Sequence, residues 1–162
     1  YKRQGLMATR STIAMKTKDG KIRAIYCHWD GYVDHNGRIL SNFYTDPAKV
    51  EELINLGDLS TLGSEIGQKH PFDRNYDEPE LALTEDWCMA YHRDREEPWD
   101  RVKPSEHESI SEWLEDYDPG GSEYAYLFDG KDWIVHKWDN KDEHGFPIFD
   151  FVEVEVLKCA IN

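Results

Sequence analysis

The chain has 162 residues, 39 % of them apolar, and carries 33 acidic against 19 basic side chains for a net charge of −14. That length and apolar share fit one domain with one modest core. No apolar run approaches a membrane span or a secretory leader, so the expectation is a cytoplasmic protein, and a field of this sign disfavours direct nucleic-acid binding.

Residues 1–6 read as a tag scar in front of a natural start at Met7, leaving 7–162 as a single domain. Within it, 7–66 reads as a hairpin plus helices, 67–122 as an acidic Trp-containing middle region, and 123–162 as C-terminal strands. Ser11–Thr17 and Ile22–Trp29 alternate around the turn Lys18-Asp19-Gly20-Lys21, which predicts a β-hairpin. Ile22, Ala24, Tyr26 and His28 share one face of the second strand; Arg23, Ile25, Cys27 and Trp29 share the other. Apolar residues on both faces place that strand centrally in its sheet.

Asp30–Gly37 is a loop, and Arg38–Tyr44 a short helix. A second helix follows, with Thr45 as its N-cap candidate, Pro47 in the first turn, an apolar stripe at Val50, Leu53, Ile54 and Leu56, and a stop at Gly57. Leu59, Leu62 and Ile66 are spaced for a further turn or a loop tucked onto the core.

The middle region concentrates sixteen acidic residues against five basic ones between Asp73 and Asp118, and holds Trp87, Trp99 and Trp113. Ser105–Leu114 reads as one helix anchored by Ile110, Trp113 and Leu114, and 82–91 as strand or helix. Strand grammar returns at Tyr124–Phe128 and Trp133–Trp138, flanking the turn Asp129-Gly130-Lys131-Asp132, and at Phe151–Leu157. The predicted fold class is α+β: an antiparallel sheet of about five strands with helices packed mainly on one side, and the acidic helix/loop insertion in the middle.

Charge is unevenly placed. Residues 1–23 hold seven basic residues and a single acidic one, Asp19, so the remaining chain is far more acidic than the total suggests. Three widely spaced cysteines, Cys27, Cys88 and Cys159, predict reduced thiols and exclude a zinc knuckle.

The densest polar-aromatic segment is Tyr26-Cys27-His28-Trp29-Asp30-Gly31-Tyr32. Cys27 and His28 point to opposite faces of a strand, which is no nucleophile–base pair. His28 with His35 or His136, and Asp30, could ligate a metal; without ligand spacing the segment reads as structural, and no metal or cofactor is expected. Phosphate-loop, dinucleotide, serine-elbow and zinc-helix motifs are missing, which lowers the prospect of an enzyme. A second candidate surface comprises Asp94, Glu96, Glu97, Trp99, Asp100, Glu112, Glu115, Asp116 and Asp118, where carboxylates beside tryptophan fit an interface with a basic protein, or mimicry of a duplex phosphate array.

Met7–Ala14 followed by Ile25–Tyr32 resembles a family of small uncharacterised bacteriophage and prophage accessory proteins, over roughly the first third of the chain. The resemblance implies no catalytic residues. It implies an accessory protein that binds and inhibits or diverts a host protein, such as a nucleic-acid-handling or defence factor, and the acidic surface is the expected contact. The alternatives are a small enzyme or metal-binding protein built on His28 and Asp30, and a small-ligand or nucleotide-binding domain.

Overall fold

The computed structural model describes residues 8–71, 84–117, 121–139, 144 and 150–160. The first hairpin forms as the sequence predicts. Strand β1 (Ser11–Lys16) pairs antiparallel with β2 (Ile22–Cys27), from Ser11 opposite Cys27 to Lys16 opposite Ile22. A single π-turn (Val33–Gly37) leads into α1 (Arg38–Phe43) and α2 (Pro47–Asn55). The N-cap of α2 is Asp46 rather than Thr45: its Oδ1 accepts from the Ala48 N–H at 3.0 Å, and Pro47 takes the first helical position, where a missing N–H costs nothing. Gly57 then leaves the helix at φ +80°, where an added Cβ would lie 2.5 Å from the Val102 carbonyl oxygen.

The next elements are β3 (Leu59–Thr61), β4 (Met89–Ala90), α3 (Tyr91–Arg95), α4 (Trp99–Val102), β5 (Ser105–His107) and α5 (Ile110–Tyr117). The chain ends with β6 (Tyr124–Phe128), β7 (Trp133–Asp139) and β8 (Asp150–Leu157). All eight strands share one sheet in the order β4-β3-β2-β1-β6-β7-β8, with β5 also on β2.

This corrects the predicted fold class in three respects. The sheet has eight strands, not about five, and it is mixed: β1 runs parallel to β6, and β2 parallel to β3. Turn grammar fixes the antiparallel sense within each hairpin, but β1 and β6 are joined through a long excursion that allows either sense. The middle region is no mere insertion, because β4 and β5 are strands of the sheet. Nor is the face opposite α1 and α2 left without a helix. Ile13, Ile25, Tyr126 and Val135 form one core with Leu40, Val50, Leu53 and Ile54 of α1 and α2. Ala14, Ala24, Ala125 and Leu127 form another with Trp113 and Leu114 of α5. Central strands apolar on both faces need a cover on each.

The second core explains why Ser105–Leu114 is not one helix. Two N-cap signatures overlap there, Ser105 with Glu108 and Ser109 with Glu112, and the second one forms. The Glu112 N–H donates to Ser109 Oγ at 3.1 Å, and Glu112 Oε2 accepts from the Glu108 N–H at 3.0 Å. Ser105–His107 is thereby released to pair with Ile22–Ala24 on the edge of β2. The reversal at 108–109 folds β5 against α5. Trp113 is fully buried, its Nε1–H donating to Thr12 Oγ1 at 3.0 Å, and Thr12 Oγ1 donates to the Ile25 carbonyl at 3.0 Å.

Candidate metal site

The Tyr26–Tyr32 segment is held by local packing. Tyr26 Oη lies 2.7 Å from His28 Nδ1, and the His28 and Trp29 rings meet edge to face at 4.6 Å. Cys27 is fully buried, and burial pushes its thiol up to about 12, so it offers no thiolate near neutrality. Asp30 is buried at φ +58° and accepts from the Tyr32 hydroxyl at 3.3 Å. The Gly31 N–H donates to the Thr9 carbonyl at 2.8 Å, and the Tyr126 hydroxyl donates to the Gly31 carbonyl at 2.6 Å. His35 contacts the Asn36 amide oxygen, while His136 lies on β7 with its ring edge-on to Trp113. These histidines are therefore not brought together with His28.

The acidic residues proposed as a partner surface are dispersed among several roles. The Asp94 carboxylate is buried and accepts from the His70 and Ala90 N–H groups and from Arg93. Glu96 pairs with Lys69 at 3.7 Å, Asp100 pairs with Lys103 at 3.7 Å, Glu97 is half-buried and Glu115 is exposed. Trp99 is 38 % exposed, against the full burial of Trp113. Asp118 lies outside the described residues.

Glu112 and Asp116 acquire a different meaning from β5. They sit one turn apart on α5, and the fold brings His107 to them. One ligand atom from each of His107, Glu112 and Asp116 lies within 4.8 Å of the other two, the one such group of three among the described residues. His107 is buried at 5 % exposure, Glu112 is half-buried, and Asp116 opens to solvent. His107 Nδ1 is 2.7 Å from Asp116 Oδ2, and its other nitrogen, Nε2, is 2.8 Å from Ser105 Oγ. Ser105 Oγ in turn lies 3.0 Å from the Tyr117 hydroxyl and 3.3 Å from the Ala24 carbonyl. Burial above all pushes the Tyr117 phenol up to about 12, so it keeps its proton as a donor.

Two chemistries use such a chain. Serine, imidazole and carboxylate joined through the two ring nitrogens are the parts of an acyl-transfer relay. A relay needs its serine at the accessible end and its acid at the sheltered end. Here the gradient is reversed: Asp116 has 52 % of its side chain exposed, while Ser105 is turned in against Ala24 and Tyr117. A metal site needs the opposite order, with carboxylates at the mouth, an inner imidazole, and a hydrogen bond that fixes the far ring nitrogen. His107 Nδ1 faces the Asp116 carboxylate and Nε2 faces Ser105, which is that order. The sequence signal was His107, Glu112 and Asp116 themselves, hidden because the spacing from 107 to 112 does not share a face of one continuous helix.

Among the described residues no helix is long and apolar enough to cross a membrane. No protein-family model matches the chain, no curated protein is significantly similar to it in sequence, and no solved structure is significantly similar to its fold.

Proposed function

We propose that the chain is a divalent-metal-binding protein, with the ion held by His107 Nδ1 and the carboxylates of Glu112 and Asp116. The observation that carries this is the convergence of one imidazole and two carboxylates at the solvent end of a network whose inner polar groups are satisfied. One nitrogen and carboxylate oxygens suit Zn²⁺ or Mn²⁺ better than the softer metals. Three protein ligands leave coordination positions open toward solvent, where a bound water would be acidified and a substrate oxygen could be polarised. The protein's own contribution is orientation: Ser105, braced by Tyr117 and Ala24, fixes the His107 ring so that Nδ1 is the ligating nitrogen.

Calorimetric titration of the metal-stripped chain with Zn²⁺ and Mn²⁺ tests the reading, with metal content by mass spectrometry. One ion per chain is expected, and Asp116→Asn and His107→Ala should each weaken it by roughly tenfold or more. Asp116 is exposed, so its variant should stay folded by circular dichroism. Absence of saturable binding of either ion, or binding that survives both substitutions unchanged, refutes it.

A further inference from the structure

His107 is hydrogen-bonded at both ring nitrogens, and its two partners differ in kind. Nδ1 lies 2.7 Å from Asp116 Oδ2, and an ionised carboxylate only accepts. Nε2 lies 2.8 Å from Ser105 Oγ, and a hydroxyl both accepts and donates. An uncharged imidazole carries a single proton on its ring nitrogens. While Nδ1 faces Asp116, that proton belongs on Nδ1, so Nε2 accepts from the Ser105 hydroxyl. A metal ion on Nδ1 uses the lone pair there, which puts the proton on Nε2. Nε2 then has to donate, and Ser105 Oγ has to receive.

The surroundings of Ser105 fit both arrangements. Its Oγ is 3.3 Å from the Ala24 carbonyl on the facing strand and 3.0 Å from the Tyr117 hydroxyl. Burial keeps the Tyr117 phenol protonated, so it has a hydrogen to give to Ser105 Oγ. A serine oxygen has two acceptor sites and one hydrogen. With Nε2–H and the Tyr117 O–H on the acceptor sites, that hydrogen falls to the Ala24 carbonyl, which only accepts. A pure acceptor in place of Ser105 would suit only the ligated ring, and an alanine would suit neither state.

Resting on the reading of His107, Glu112 and Asp116 as a metal site, we propose that Ser105 is a two-way positioning residue whose hydroxyl reverses when the ion binds. It donates to His107 Nε2 while Nδ1 faces Asp116. Once Nδ1 is ligated, it accepts from Nε2–H and donates to the Ala24 carbonyl. The imidazole stays uncharged, since the proton lost at Nδ1 is regained at Nε2 by exchange with water. Ser105 pairs with Ala24 across the β5–β2 junction, so the reversal carries occupancy of the site into the backbone of β2.

The experiment is long-range proton–nitrogen correlation NMR of the histidine rings in the ¹⁵N-labelled full chain, metal-stripped and Zn²⁺-loaded, at about pH 8, where an imidazole is uncharged. The His107 proton is expected on Nδ1 in the stripped chain and on Nε2 in the loaded one. Calorimetry supplies the second readout: Ser105→Ala should weaken Zn²⁺ binding about tenfold or more, and Ser105→Thr, which keeps the hydroxyl, should restore it. Zn²⁺ bound with the His107 proton on the same nitrogen in both samples overturns this inference and leaves the metal reading standing. So does a folded Ser105→Ala variant that binds Zn²⁺ as tightly as wild type. No Zn²⁺-dependent change at His107 refutes the metal reading, and this inference falls with it.

Discussion

Asp58→Asn should make the protein more stable at neutral pH and leave it unchanged in acid. Asp58 sits where the outer edge of β2 is shared between two partners. β3 meets that edge at Cys27, and β5 meets it at Ile22–Ala24. The Tyr26 N–H falls between them and donates to Asp58 Oδ1 at 2.9 Å. Burial of this carboxylate, only partly opposed by that hydrogen bond, pushes its pKa from 3.8 up to about 6. The sign follows from proton linkage. The folded chain holds a proton on Asp58 that the unfolded chain has released, so the group's contribution is fully present below the unfolded value. It is lost as pH rises through about 6. A rise of about two units corresponds to about 3 kcal/mol.

Asparagine keeps the accepting oxygen and carries no charge at any pH. Urea unfolding of both proteins should therefore give equal stabilities near about pH 3.5, and an advantage to the variant of about 3 kcal/mol by about pH 7.5. Taking the difference removes the titration of every other group. A difference that does not vary with pH, or a variant less stable at neutral pH, would show that Tyr26 is held by the carboxylate's charge and that burial is not the dominant influence.

The buried chain from Trp113 through Thr12 to Ile25 should be sensitive to loss of its middle member. Thr12→Val preserves shape but strands the Trp113 N–H, and should cost about 1–3 kcal/mol in chemical denaturation, with the loss absent in Thr12→Ser. Thiol labelling should follow burial: Cys159, half-exposed, should be alkylated in the native protein well before Cys27 and Cys88, as read by peptide mass spectrometry after a brief exposure to iodoacetamide.

Much of the local structure was written in the sequence. The Asp-Gly turns, the alternation of Ile22–Trp29 and the 3.6-residue stripe of α2 are contests between neighbouring residues, and short-range physics decides them. Even the apolar character of both faces of β2 was legible, and it implied a central strand. The candidate sites were harder. Tyr26–Tyr32 drew attention because its polar groups are adjacent in sequence, yet the turn at Asp30–Gly31 and the contacts from Thr9 and Tyr126 use that segment to close the fold.

Tertiary structure alone decided the rest. The parallel pairing of β1 with β6 joins residues more than a hundred positions apart, and no local signal states the direction of such a junction. The same is true of the end of β5. Whether Ser105–His107 extends a helix or leaves it as a strand depends on whether β2 has a free edge to receive it, which is a property of the finished sheet. Only when that edge takes β5, and Ser109 caps α5 behind it, does His107 meet Glu112 and Asp116. The ligand types were present in the sequence from the start; their convergence was a consequence of long-range pairing, which composition and periodicity do not encode.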